Sequence, residues 1–534
     1  MALDTAQRFL EQLRKPRPEF RLVDMDGFPE QEYQKNLSSY NEKEQWYDGT
    51  MLDETVERQG KEVKKYPVKL NPLPSAVQKH TQFLFGQIEE SDRPLVYPRV
   101  LPRDSESEEE KKLAQEAEDA LYQAWWENNG RAIQWKNGSQ SQIYGGCVFR
   151  VVYDPLDLIR TIPIRIEAIH PKNFVGVPDG DDFWNLREAW IVRPINHQEA
   201  ADHGVEVPEG DDCWMAEHYT RTHITVTINN APAYRFADGE WKPLSGENEW
   251  GFVPVVYIPH IRTYGYYGEN LVDNVTGIIR ELNLRIADYG DAVTVDSHSY
   301  LGMKNVDGAP QVQQLAPGLY AVNLQSKMDF TGNSGDPDLW ELRKPAASDP
   351  MYKLVELLYL MFRRLVYIPS VIDGEDEGSQ RSGLTLTTRM ISLTSHTDAE
   401  RIFWTTGLDL LSRMLLRMMQ VKKIAGITEA HVNLRIRQEW NPVLPRDRET
   451  IVNEAVALMA AKLGSPERLL EMLGVEDAPE EVKMILKFWE SLVEMGLEGT
   501  SPNEEGEEEG VKASSANASK GQTAKDKNQS KKQE

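Results

Sequence analysis

The chain has 534 residues, 40% apolar and 27% charged, with a formal net charge of −25 at pH 7. It offers no unbroken apolar run of about 18 residues to span a membrane, and its first residues, MALDTAQRFLEQLRKPRPEF, have no apolar stretch that reads as a secretory leader. So large an acidic excess argues against a general grip on DNA, which proteins achieve by neutralising phosphates with Lys and Arg.

The length predicts two to four domains with several cores. Residues 1–70 are polar, and Thr55 to Lys65 reads as charged and exposed. Pro67 to Gln87 reads as a turn and then a helix carrying Val77, Phe83 and Phe85. Tyr97 to Asp104 holds Pro98 and Pro102 and reads as a loop or edge strand. Leu113, Ala117, Leu121 and Trp125 recur every four residues and predict a helix over Ser105 to Asn129. Ser105, Ser107 and the neighbouring glutamates suit its N-terminus, where carboxylates meet the positive end of the helix dipole.

From Ile143 to His260 the pattern changes. Val148–Tyr153, Ile162–Glu167, Ala189–Val192, His218–Thr220 and Ile224–Ile228 alternate or run apolar, with turn signals at Asn229-Asn230 and Asp238-Gly239. They predict an antiparallel block of about five to eight strands, closed by Phe252 to Ile258. Leu271, Val275, Ile278, Leu282, Ile286 and Tyr289 then step by three and four, an amphipathic helix slightly weakened by Gly277 and Gly290. Ser299 to Asp349 reads as short strands and Gly/Pro turns.

Asp349 to Gln420 is the most informative stretch. Asp349 caps and Pro350 starts a nearly all-apolar helix, Tyr352 to Ile368, which Pro369 ends. An acidic glycine loop follows, PSVIDGEDEGSQRSG, and then a long helix from Leu384 to Gln420. The first helix is apolar on too many faces for the surface of a monomer and needs neighbours on more than one side, as a ring of identical subunits supplies. Beyond it, Val432 to Gln438 reads as a strand, and Arg448 to Leu463, Pro466 to Leu473 and Pro479 to Glu494 as helices. Glu498 to Glu534 has almost no large apolar residue and is expected to be disordered.

Catalytic signatures are missing. There is no HExxH, no GxGxxG after a strand, no glycine-rich phosphate loop ending Gly-Lys-Ser/Thr and no GxSxG elbow. No enzyme activity, cofactor or metal site is therefore expected. Were the chain part of a DNA motor, another protein would hydrolyse ATP. Cys147 and Cys213 have no metal or redox spacing and read as reduced thiols. His218 and His223, five apart in a strand region, point to opposite faces and do not converge on a metal. In the acidic loop Asp373, Glu375, Glu377 and Gly378 echo positions one, three, five and six of a calcium loop, but position twelve is Leu384, without the bidentate carboxylate. The 13 tryptophans are scattered, which favours packing over base stacking. Lys520 to Lys532 serves either as a solubilising tail or as an electrostatic hold on a partner.

The order of several short motifs resembles the tailed-bacteriophage portal proteins, over roughly Gln34 to Leu497. Asn71-Pro72, Ser75-Ala76-Val77 and Phe83-Leu84-Phe85-Gly86 are similar to that family's early helix. Ser382-Gly383-Leu384 opens the long helix as a Ser-Gly pair does in many portals. Leu434–Arg437, Trp440-Asn441-Pro442 and Pro445-Arg446-Asp447, then Leu463–Glu467 and Leu473-Gly474, resemble its C-terminal strand and helices.

The resemblance implies an α+β portal fold with a β-rich wing, long stem helices, a small α/β clip, a tunnel loop and an α-helical crown. Mapped onto this chain, the wing is 1–262, stem helix 1 is 263–298, the clip 299–348 and stem helix 2 349–369. The tunnel loop is 370–383, the long wing helix 384–430, the crown 431–497 and the disordered tail 498–534. It further implies a homo-oligomeric, dodecameric ring at one capsid vertex, through which double-stranded DNA is packaged and ejected. Implied partners are further copies of the chain, the DNA in the channel, the terminase large subunit, a head-completion or tail adaptor, and the major capsid protein and scaffold, with no membrane. The implied location is the portal vertex of the virion, and the host cytoplasm during assembly.

Within that frame Asp373, Glu375, Asp376 and Glu377 would set a ring of negative charge against the phosphates, so that DNA slides rather than sticks. Gly374 and Gly378 would let the loop reshape, and Gln380 and Arg381 would make transient backbone contacts. Read without the resemblance, the same loop is an ordinary acidic surface loop. Lys304, Lys327, Arg343 and Lys344 would meet DNA or acidic faces of docking partners, or are simply solvated. Leu271, Val275, Ile278 and Leu282 of the first stem helix, and Leu354, Leu357, Leu358, Met361 and Leu365 of the second, would pack between subunits. Two rivals remain: a minor head or capsid-associated structural protein without a channel, and a metal-dependent hydrolase using the acidic loop.

Overall fold

The computed structural model describes residues 27–58, 61–87, 93–104, 106–208, 210–237, 240–296, 300–305, 311–316, 319–323, 338–342, 348–373, 383–443, 448–473 and 478–494, and single residues 307, 326, 336 and 475. The expected disordered tail, 498–534, lies outside them, as do Ser105 and the turn at Asp238-Gly239. The chain divides into two compact units, Met1–Val443 and Leu444–Glu534.

The first unit opens with α1 (Glu30–Tyr47), the hairpin β1 (Thr55–Arg58) and β2 (Lys61–Lys64), α2 (Leu73–Phe85), β3 (Val96–Leu101), α3 (Glu108–Glu127) and α4 (Gly130–Tyr144). Strands β4 (Gly146–Tyr153), β5 (Ile164–Ile169), β6 (Phe174–Asp179) and β7 (Asp182–Ile195) follow, then α5 (His197–Asp202). Next come β8 (Cys213–Thr220), β9 (His223–Ile228), β10 (Ala231–Pro232), β11 (Tyr234–Ala237), β12 (Glu240–Pro243), β13 (Gly246–Glu247) and β14 (Val255–Pro259). After α6 (Thr276–Asp296) come β15 (Tyr300–Lys304), β16 (Gln311–Ala316), β17 (Leu319–Asn323) and β18 (Asp338–Leu342). The unit ends with α7 (Ser348–Leu365), α8 (Gly383–Lys422), α9 (Glu429–Val432) and β19 (Arg435–Trp440).

The block expected to be antiparallel forms three sheets, β14-β4-β5, β10-β9-β8-β7-β6 with β13 beside β9, and the pair β11-β12. Asn229 and Asn230, at φ 46° and 66°, make the left-handed pair that turns β9 into β10. His218 and His223 lie on successive strands of the hairpin β8–β9 rather than on one strand; His218 stacks on Trp190 and His223 is exposed. Both cysteines are free and buried.

Strand β4 reads as a near-continuous apolar run because both its faces are covered. Cys147, Phe149 and Val151 join Ile164 and Ile166 of β5, Ala117, Leu121 and Trp125 of α3, and Trp404, Leu408, Leu411 and Leu415 of α8. Val148 faces the other way, onto Phe174, Ala189, Ile191 and Tyr257. Arg150, also on β4, ties its own sheet to β8 of the largest one. Its Nε donates to Glu167 Oε2 at 2.9 Å and its Nη1 to the Tyr219 hydroxyl at 3.2 Å and to Glu217.

Helix α8 has 40 residues, a length of about 60 Å at 1.5 Å per residue. It crosses β14 at Gly407, where a Cβ would meet Ile258 Cγ1 at 2.4 Å and Cδ1 at 2.6 Å. A methyl has no room there, so Gly407→Ala should destabilise the fold by about 1–3 kcal/mol through overpacking. A lower urea midpoint at an unchanged slope would register it, and an unchanged midpoint would mean that the helix simply shifts.

Several expectations are corrected. The polar stretch Gly130–Tyr144, which carries no predicted element up to Ile143, forms α4. Leu271 and Val275 precede α6 in turns, so the first stem helix begins at Thr276. The apolar helix α7 ends at Leu365, before Pro369: Tyr367 takes a left-handed φ of 55°, and the Ile368 and Tyr367 N–H groups close onto the carbonyls of Arg363 (3.0 Å) and Arg364 (3.3 Å). Strand β19 pairs with β3, so residues 431–443, expected with the crown, belong to the first unit.

The second unit holds α10 (Arg448–Ala460), α11 (Pro466–Met472) and α12 (Ala478–Glu494). Among its described residues Ala455, Leu469 and Ala478 are the buried apolar side chains, while Met484, Leu486, Phe488 and Trp489 are 45–59% exposed.

Candidate functional site

The two expected stem helices, α6 and α7, pack on each other. Their roots enter one core. Val272, Val275 and Ile279 meet Phe362, Val366 and Ile368 there, with Tyr66, Leu73, Ala76 and Val77. Leu271 and Leu282 are also buried, and Ile278 is half-buried. Asn283 fastens α6 to the segment before α2: its Nδ2 donates to the Leu70 carbonyl at 2.9 Å and its Oδ1 accepts the Leu70 N–H at 2.8 Å.

Helix α7 has a second apolar face that the single chain does not bury. Leu354, Leu357, Met361 and Leu365 share it at three- and four-residue spacing and are 39–45% exposed. Leu358 on the same face is half-buried, and Tyr352 and Leu360 add exposed bulk nearby. The expected packing residues thus split. Leu271, Val275 and Leu282 are internal to one chain, while Leu354, Leu357, Met361 and Leu365 stand on its surface.

Of the acidic loop, Ser370–Asp373 forms a 3-10 turn in which Ile372 packs on the stem-root core. Gly374, Glu375, Asp376, Glu377, Gly378, Gln380 and Arg381 lie outside the described residues. Lys304 is exposed at the end of β15, paired in register with Asp338 of β18. Lys327, Arg343 and Lys344 lie outside the described residues.

Against the exit of α7 sits a polar cluster that sequence reading did not find. It gathers His80 of α2, Ser141 and Gln142 of α4, His260 just after β14, and His396 and Glu400 of α8. His80 Nε2 meets the Val366 carbonyl at 2.6 Å, and His396 stacks on Tyr367 with centroids 4.6 Å apart, so both touch the exit of α7. Glu400, 1% exposed, accepts from Gln142 Nε2 at 2.6 Å and Ser141 Oγ at 3.3 Å through one oxygen, and its other oxygen lies 3.6 Å from His260 Nε2. Burial pushes the Glu400 carboxyl up to about 8, against the pull of its Gln142, Ser141 and Arg401 neighbours. Burial likewise drives His80 and His260 down to about 3 and His396 to about 4. The one local hint in the sequence was the four-residue step from His396 to Glu400, which places both on one helix face.

Two distant motifs also meet. Gly86 ends α2 at φ 72°, and a Cβ there would lie 2.6 Å from the carbonyl oxygens of Asn441 and Pro442. The Gln87 N–H donates to the Pro442 carbonyl at 3.1 Å, and Arg401 donates to the carbonyls of Leu84 (2.9 Å) and Asn441 (3.0 Å) while lying over the Trp440 ring. Glycine alone combines that backbone angle with that close approach. The aromatic-Leu-Phe-Gly step and the Trp-Asn-Pro step are therefore two halves of one joint.

No helix among the described residues is long and apolar enough to cross a membrane. No curated protein matches the chain. The family described as phage portal protein, SPP1 Gp6-like, matches residues 27–490, a span that runs from α1 through the β-rich block, α6, α7 and α8 into α12. With most of its length matched and its helices and antiparallel sheets in an α+β arrangement, the chain belongs to the SPP1 Gp6-like family of phage portal proteins.

Proposed function

We propose that the chain closes into a homo-oligomeric ring, a dodecamer, at one vertex of the capsid, and that double-stranded DNA passes through it during packaging and ejection. The observation that carries this is the exposed apolar face of α7. A soluble single chain gains nothing by leaving Leu354, Leu357, Met361 and Leu365 in water, whereas identical neighbours around a ring cover them all by one repeated contact. The exposed apolar residues of α12 fit the same reading for the crown. In this assembly 299–348 is the clip that docks the terminase and later the head-completion adaptor, with Lys304, Lys327, Arg343 and Lys344 offered to them. The loop through Asp373, Glu375, Asp376 and Glu377 narrows the channel with like charge, so the duplex is repelled from the wall and slides, as the net charge of −25 favours. The role is passive: the ring holds, guides and docks, and does no chemistry.

Negative-stain electron microscopy with mass photometry on the same purified sample tests this. Closed rings with a central hole, at the mass of a dodecamer, are expected. A monomer in solution that is also scattered over the capsid, rather than confined to one vertex, would instead favour a minor head protein without a channel.

A further inference from the structure

The geometry points to a divalent transition-metal site, zinc foremost, formed by His260 Nε2, His396 Nε2 and a carboxylate oxygen of Glu400. It rests on side-chain geometry within one chain and not on ring formation.

One ring nitrogen of His260, one of His396 and a carboxylate oxygen of Glu400 lie within 4.8 Å of one another, and His260 Nε2 is 3.6 Å from Glu400 Oε2. Ligands about 2.0–2.1 Å from a tetrahedral ion stand about 3.4 Å apart, so the set closes on an ion by small side-chain movements. Two imidazoles and one carboxylate, with a fourth position left over, are a ligand set that zinc takes.

The tautomers agree. His260 Nδ1 faces the Glu269 carbonyl at 3.0 Å, and a carbonyl only accepts, so Nδ1 carries the proton and the Nε2 lone pair points at Glu400. A histidine ligand that donates its other N–H to a backbone carbonyl is the usual outer-shell arrangement of a metal site. Glu400 is held in the same way, by Gln142 and Ser141 on one oxygen, which leaves the other for the ion.

Three buried imidazole nitrogens in this cluster have no hydrogen-bond partner: His260 Nε2, His396 Nε2 and His80 Nδ1. Buried polar atoms are nearly always paired, and leaving several orphaned together in a well-packed unit is costly. A cation satisfies the first two at once, with the His80 ring packed edge-on against His396 at 5.2 Å between centroids.

The ion would join α8 to the chain leaving β14, next to the point where His80 and His396 hold the exit of α7. It would act as a clasp on α8, beside the exit of α7.

The test uses the full-length purified chain. After zinc loading and dialysis, elemental analysis should find stoichiometric zinc, and Co²⁺ in its place should give the intense visible bands of a tetrahedral site. Glu400→Gln, which keeps the shape and the contacts to Ser141 and Gln142, and His396→Ala should lose both signals. Ser141→Ala, which removes only a supporting hydrogen bond, should weaken Co²⁺ binding on the order of 10-fold. EDTA should lower the Tm of the wild-type chain and leave that of Glu400→Gln unchanged. The proposal is overturned if zinc-loaded wild type retains no metal and EDTA does not move its Tm; Glu400 then simply keeps its proton and donates it to His260. Equal metal in wild type and variants overturns it too. Should a variant fail to fold, the wild-type metal content and EDTA response decide alone.

Discussion

Replacing Leu357 and Met361 together by aspartate should leave the isolated chain folded and abolish the ring. Both side chains are exposed in the single chain, 45% and 43%, so carboxylates there cost the monomer little. In the proposed ring the same positions would be covered by a neighbour. Each substitution then forfeits about 1.5–3 kcal/mol of apolar burial and buries an unpaired charge, worth several kcal/mol more. The loss recurs at every subunit contact, which places ring closure beyond recovery. Mass photometry should show the ring mass replaced by monomer, with the circular dichroism spectrum and Tm of the monomer unchanged. Rings persisting in the double variant would mean that this face does not lie between subunits.

Arg150→Met should be the most damaging single substitution in the β-rich block, at about 3–5 kcal/mol. Arg150 and Glu217 are each 11% exposed in their side chains, and the guanidinium also holds Glu167 and the Tyr219 hydroxyl. Removing it leaves Glu217 buried with only the weaker pull of Arg193. Adding Glu217→Leu should restore most of the loss, since a buried pair replaced by packed apolar groups is often neutral. The pH dependence follows from the direction of the shift. Burial opposes ionisation of Glu217, but Arg150 and the Tyr219 hydroxyl outweigh it and hold the carboxyl below its usual range. A depressed folded-state pKa contributes stability above the unfolded value, about 4.3, and loses it as pH falls through the folded value. The gap between wild type and Arg150→Met should therefore be widest near neutrality and narrow on acidification. Urea unfolding at stepped pH reads this, and a gap that widens toward acid would refute the assignment.

Much of the architecture was legible where one physical signal dominates. The four-residue apolar step of Leu113, Ala117, Leu121 and Trp125 became α3, with Ser107 as its cap accepting from the Glu110 N–H at 3.4 Å. The apolar strands of the β block, the paired asparagines at its turn and the long helix α8 were equally readable. Helix α4 was not, because its inward face is polar. Gln134 is fully buried and holds the backbone of Val96 through both its N–H and its carbonyl, and Asn137, Ser141 and Gln142 are buried beside it. Hydrophobic periodicity is blind to a helix that docks through side-chain amides.

The candidate sites divide along the same line. Local sequence placed the apolar helix α7, because it depends on composition and short spacing. It could not tell which stem residues face inward: Leu282 and Leu357 look alike in a stripe, yet one is fully buried and the other 45% exposed. Nor could it unite His260 with His396 and Glu400, or Gly86 with Asn441. Those partners lie more than a hundred residues apart, and only the packing of α8 against β14 and the pairing of β19 with β3 bring them into reach. Periodicity and charge are properties of neighbours in the chain, so the sequence by itself determined the elements, their order and the family they belong to. Which face of each is covered, and which polar groups meet inside, is settled by contacts between remote segments, and these exist only once the chain has folded.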